Sequence, residues 1–215
     1  FGDKKITGLW FLANHSKKIK SNDIEFNNEK KLGLISYLVL KLITNNYYFS
    51  RLANFFYRKY KKYFYKEIIL YDDCFYPQDH FVDWNKAYGK NGLFQFQFLV
   101  PEKKLENIID ALFVFFKKEK LFSSFIVIKK MNEKGGYLNF TGTGYTISLD
   151  FPINNKFFIL KSFLNKLVEL HKLKVNFAKD FITTESNAYN YPEFEDFKKK
   201  ILLLNPKKKL NSFLS

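Results

Sequence analysis

"GLFQFQFLVP", residues 92–101, sets three phenylalanines and two glutamines in alternation between a glycine and a proline. Successive side chains of a strand point to opposite faces, so Phe94, Phe96 and Phe98 share one side while Gln95, Gln97 and Leu99 share the other. The aromatic side calls for a core. The glutamine side suits either solvent, as in a half-exposed antiparallel strand, or a polar-lined pocket.

Further strand candidates surround this one, rich in aromatic and β-branched residues. They are residues 4–14 ("KKITGLWFLAN"), 67–76 ("EIILYDDCFY"), 121–130 ("LFSSFIVIKK"), 137–142, 145–151 and 174–180 ("KVNFAKD"). Gly142 and Gly144 mark a turn between the 137–142 and 145–151 candidates. Helical spacing appears in Leu105, Ile108, Ile109, Leu112 and Phe116, and again in Leu160, Phe163, Leu164, Leu167 and Val168. Residues 32–45 read as a short helix, and a last helix runs from about Pro192 to Leu204. The order predicts an α+β fold, an antiparallel sheet covered by helices on one face.

Composition narrows the function classes. The chain has 215 residues, enough for a substantial core, and its 20% aromatic content excludes a disordered chain. Its net charge of +15 permits nucleic acid, an anionic membrane or a phosphorylated substrate. Arg51 and Arg58 are the only arginines, however, and the lysines are scattered, which weighs against a nucleic-acid partner. Cys74 is the single cysteine and His15, His80 and His171 lie far apart, so no metal site is expected. The most apolar run, 32–43, is well short of the roughly 20 residues a membrane span needs. Residues 46–66, "NYYFSRLANFFYRKYKKYFYK", mix rings with basic residues. They suit a loop or helix at a membrane or substrate-channel rim, or else a tyrosine-rich packing segment.

Alternation along 174–180 puts Val175, Phe177 and Lys179 on one face, and along 125–129 it aligns Phe125, Val127 and Lys129. In each row a lysine closes an apolar series. Either the lysines reach solvent at strand ends, or they join the glutamines in one polar cluster. The glycines form neither G-x-G-x-x-G nor a P-loop, which excludes nucleotide sites of those kinds.

Four motifs occur in order: P-x-D-x-F-x-x-W-N-x-A-Y-G (77–89), Q-x-Q-F-x-x-P (95–101), D-F-P-I (150–153) and A-K-D-x-x-T-T (178–184). In these the chain resembles the carboxy-terminal half of the decaprenylphosphoryl-ribose oxidase family, FAD-dependent oxidoreductases of the vanillyl-alcohol-oxidase superfamily. The resemblance implies that residues 1–14 end an FAD-binding domain, with Gly8 beside the cofactor, and that 15–215 form the substrate domain. It implies Lys179 as the catalytic cation at the flavin, with Asn176 also at the cofactor. It gives Gln95, Gln97, Lys129, Ser148 and Trp84 to the substrate. The family's pocket cysteine, target of covalent inhibitors, is Ser148 here; a tyrosine near the flavin is Asn176, and an arginine after A-K-D is Ile182.

The implied reaction is oxidation of the 2-hydroxyl of a polyprenyl-phosphoryl ribose. An NAD(P)H-dependent short-chain reductase partner would complete epimerisation to arabinose, a cell-envelope precursor. The implied location is cytoplasmic or peripheral to the inner membrane. Two other readings stay open: an FAD-dependent oxidase of a soluble sugar, polyol or aldonolactone, and a non-catalytic basic module binding nucleic acid or a membrane surface.

Overall fold

The structure is a computed structural model that describes residues 30–31, 33–63, 81–132, 138–179, 184–207 and 209. The strand candidates at 4–14 and 67–76, Gly8, Ile182 and the expected boundary at 14/15 lie outside the described residues. The chain divides into two compact units, Phe1–Gly89 and Lys90–Ser215.

In the first unit a short parallel pair joins β1 (Lys30–Lys31) to β2 (Phe81–Val82). Helix α1 (Leu34–Asn45) is followed after one residue by α2 (Tyr47–Tyr63), so the ring-rich segment is helical over most of its length. Asn46 makes the break: its Oδ1 accepts the backbone N–H groups of Tyr48 (3.0 Å) and Phe49 (3.2 Å), capping the start of α2. The end of α1 is tied to the 3-10 helix Trp84–Tyr88. Thr44 Oγ1 and Asn45 Nδ2 both donate to the Ala87 carbonyl, at 2.9 and 3.0 Å.

The second unit is built on a four-stranded antiparallel sheet in the order β4-β5-β3-β6. Its strands are β3 (Leu93–Val100), β4 (Phe125–Met131), β5 (Gly144–Pro152) and β6 (Lys174–Val175). Helices α3 (Leu105–Glu119) and α4 (Phe157–His171) cross over between strands, and α5 (Phe194–Leu204) comes last. The β3–β5 register sets Phe94 opposite Phe151, Phe96 opposite Leu149 and Phe98 opposite Ile147. Those six side chains are buried together with Ile108, Leu112 and Phe116 of α3 and Leu160, Leu164 and Val168 of α4. The expected α+β architecture, with helices over the phenylalanine face, is the one observed. Gly144 opens β5 where a Cβ would stand 2.3 Å from the Val100 carbonyl oxygen, so only glycine permits this approach.

Two strand expectations fail for local reasons. The 137–142 segment is a turn in its described part: Leu138 adopts a left-handed φ of 49° and the Thr141 N–H donates to the Asn139 carbonyl (2.8 Å). The 174–180 segment keeps strand form only to Val175. Asn176 Oδ1 then accepts the Ala178 N–H (3.0 Å) and its carbonyl accepts the Lys179 N–H (3.0 Å), turning the chain into the 3-10 helix Phe177–Lys179. A short amide side chain here competes with the ladder and wins.

Phe96 is fully buried at the centre of this core. Phe96→Ala is expected to cost about 3–5 kcal/mol in urea unfolding, whereas Phe113→Ala, at a half-exposed position of α3, should cost markedly less.

Candidate functional site

The pleat that buries the phenylalanines turns Gln95 and Gln97 to the opposite side of the sheet. The register sets Gln95 opposite Asp150, Gln97 opposite Ser148 and Leu99 opposite Thr146. From β4, Phe125, Val127 and Lys129 pair with the same three β5 residues and so lie on this face. Thr146, Ser148 and Asp150 are all buried, an uncommon setting for a row of polar side chains.

Their hydrogen bonding is specific. Gln95 Nε2 donates to Asp150 Oδ1 at 2.6 Å, and Gln95 Oε1 accepts from the Lys179 ammonium. Asn176 Nδ2 donates to Gln97 Oε1 at 2.7 Å, while the Asn176 backbone N–H donates to the Gln97 carbonyl at 2.9 Å. Ser123 Oγ fixes Asp150 from behind, accepting its backbone N–H at 2.9 Å. The Ser148 hydroxyl is buried with no hydrogen-bond partner, although a hydroxyl can both donate and accept. A polar atom so placed suits a ligand that supplies the missing bond.

The charges perturb one another. Burial raises the Asp150 pKa above its usual 3.8, opposed by the bond from Gln95 and the Lys179 charge. Burial lowers the Lys179 pKa below 10.5; Asp150 opposes this and the like charge of Lys129 adds to it. The face therefore offers ammonium groups, amides and a spare hydroxyl, a set that can hold a hydroxylated or anionic ligand.

Of the expected site residues, the fold brings Gln95, Gln97, Lys129, Ser148, Asn176 and Lys179 to one face. Lys179 arrives by the turn at Asn176 and not by the alternation that grouped it with Val175 and Phe177. Trp84 belongs to the first unit, where its ring meets Tyr88 edge-on at 6.1 Å. Sequence reasoning passed over Asp150 as a site residue. Its signal was the alternation of Thr146, Ser148 and Asp150 with Tyr145, Ile147 and Leu149 in "GYTISLD".

No family model matches the chain. Among curated proteins it is similar to the decaprenylphosphoryl-beta-D-ribose oxidase of Mycolicibacterium smegmatis, with 28% identity over 158 residues. The match covers 72% of this chain and 34% of that protein, so the chain spans about a third of its relative's length. The likeness is distant and partial, and it points toward the same oxidase family as the motifs.

Burial raises the Asp150 pKa in the folded chain, so its ionisation subtracts stability as pH rises from 3.8 through the raised value. Asp150→Asn should therefore gain stability relative to the wild type as pH rises above 3.8, read in thermal melts. Losing the carboxylate should also lower the Lys179 pKa further, read by NMR of Cε-labelled lysine. An unmoved Lys179 titration would separate the two groups.

Proposed function

We propose that this chain is the substrate-facing part of an FAD-dependent oxidoreductase that oxidises the 2-hydroxyl of a polyprenyl-phosphoryl ribose to the keto-sugar. The observation that carries the reading is the Asp150–Gln95–Lys179 relay beside the unpaired Ser148 hydroxyl, on the sheet side opposite α3 and α4. The order of the four motifs and the distant oxidase relative support it.

The residues fit a flavin chemically. A ring system that gains negative charge on reduction suits a partly buried ammonium, and the Asp150 carboxylate is already engaged by Gln95. When bound, FAD would supply a two-electron acceptor for hydride from a CH–OH carbon. Lys179, with Asn176 beside it, would hold the cofactor's electron-rich edge, and its positive charge would stabilise the charge that develops there. Gln95 and Gln97 would orient the sugar hydroxyls, each amide held by a second partner so that little freedom is lost on binding. Ser148 would donate to or accept from a sugar oxygen, and Lys129 would face the phosphate. Ser148 carries no thiol, so electrophiles that modify the family's pocket cysteine should not label this position. The keto-sugar would pass to an NAD(P)H-dependent short-chain reductase that returns the hydroxyl with opposite configuration.

The test is the visible spectrum of the protein as its gene encodes it, recorded before and after anaerobic addition of a polyprenyl-phosphoryl ribose analogue. The expected result is a yellow protein bleached by the analogue. Bleaching by soluble sugars or polyols instead would reassign the substrate, and a colourless, folded protein would overturn the flavin reading. Lys179→Ala should retain the flavin yet slow its reduction about 100-fold or more.

A further inference from the structure

The first unit carries a surface that the redox reading leaves unused. Along α1, Leu34, Ile35, Leu38, Val39 and Leu42 are exposed at the spacing of a single helical stripe, with Leu34 and Ile35 over 70% open. Along α2, Phe49, Leu52, Phe56 and Tyr63 form a second exposed stripe, with Phe56 at 60% and Tyr63 at 69%. Bulky side chains in such number are not ordinary surface. The hairpin is nevertheless held in place from its other side. Ser50 and Thr44 are buried, Thr44 and Asn45 donate to the Ala87 carbonyl, and Tyr37 donates to the Lys86 carbonyl at 3.3 Å. The open stripes are therefore the faces left over once the hairpin is anchored.

Charge identifies the occupant. Residues 34–63 contain Lys41, Arg51, Arg58, Lys59, Lys61 and Lys62 and no acidic residue. Both of the chain's arginines are among them. On a helical wheel Lys59 borders the ring stripe of α2, and Lys62 lies beyond it on the same side. Their ammonium groups lie over rings, Lys59 over Phe55 at 5.3 Å and Lys62 over Tyr63 at 5.9 Å. An apolar stripe edged by cations is the pattern of a helix lying in a lipid interface, where rings enter the acyl boundary and cations stay at the headgroups. A second copy of the same face would bring like charge against like charge, and the cores of protein interfaces are depleted in lysine. No helix among the described residues is long and apolar enough to cross a membrane.

We infer that α1 and α2 form a docking hairpin that lies on an anionic phospholipid surface, with the Phe49–Leu52–Phe56 stripe in the interface and the lysines at the headgroups. This rests on the hairpin alone and holds whether or not the second unit serves a flavin.

Vesicle flotation tests it directly. The protein should float with vesicles of phosphatidylcholine containing 30% phosphatidylglycerol, at least about tenfold more than with phosphatidylcholine alone, because each basic residue near such a surface is worth about fivefold in partitioning. Lys59→Glu with Lys62→Glu should cut the anionic preference, and Leu52→Asp with Phe56→Asp should abolish flotation. Because Leu52 and Phe56 are exposed, the latter variant should keep wild-type circular dichroism. Phe56→Trp supplies a second readout: brominated acyl chains should quench it beyond the background of Trp10 and Trp84. A wild-type protein that stays unbound, a double aspartate variant that floats like wild type, or an unquenched Phe56→Trp would each overturn the inference. So would a dimer that the aspartate pair dissociates without any vesicle binding. None of these readouts requires a flavin, so their failure leaves the proposed oxidation standing.

Discussion

Burial of Phe94, Phe96 and Phe98 under α3 and α4 fixes the register on which the second unit depends. Each such ring contributes up to about 3 kcal/mol on leaving water. A one-residue slip of β3 would carry all three rings to the opposite face and push two glutamines beneath the helices. Because β5 is held in the same register, Ile147, Leu149 and Phe151 share the core while Thr146, Ser148 and Asp150 must face the other way. The polar face is thus a consequence of where the rings go, and its spacing inherits the precision of the core.

A buried polar row has to satisfy its own hydrogen bonds, and here that requirement fixes orientation. Gln95 has one donating and one accepting end. The Asp150 carboxylate can only accept when ionised and the Lys179 ammonium can only donate, so the amide has one orientation that serves both. Gln97 is fixed in a similar way, its side-chain oxygen taken by Asn176 and its backbone carbonyl by the Asn176 N–H. Ser148 is what remains once the neighbours are paired, and it stands opposite Gln97, next along β5 from Asp150 on this face.

Much of this was legible in the sequence because the signals were periodic. The Phe/Gln alternation announced both faces of β3, and the 3.6-residue spacing of α3 and α4 announced what covers one of them. The two strand expectations that failed did so for local reasons. "KVNFAKD" has the composition of a strand, yet Asn176 folds it into a turn, and that turn brings Lys179 to Gln95. Leu138 adopts a left-handed conformation that no propensity scale anticipates in an apolar residue. Asp150 was missed for another reason: inside D-F-P-I it reads as the end of an apolar strand, and its role appears only when Gln95 is set opposite it.

The amide between Asp150 and Lys179 also bears on what the face can bind. A direct ion pair at 4 Å would be worth roughly 4 kcal/mol at an effective dielectric constant near 20, and a ligand would have to compete with it for the ammonium. With Gln95 interposed, the charges are held farther apart while hydrogen bonds at both ends preserve the geometry. Lys129, on the same face, adds a second cation that acts against the charge of Lys179. With all three groups ionised the cluster carries a net charge of about +1, and burial penalises that charge on Lys179. A ligand bringing negative charge to this face would offset the positive charge of its lysines.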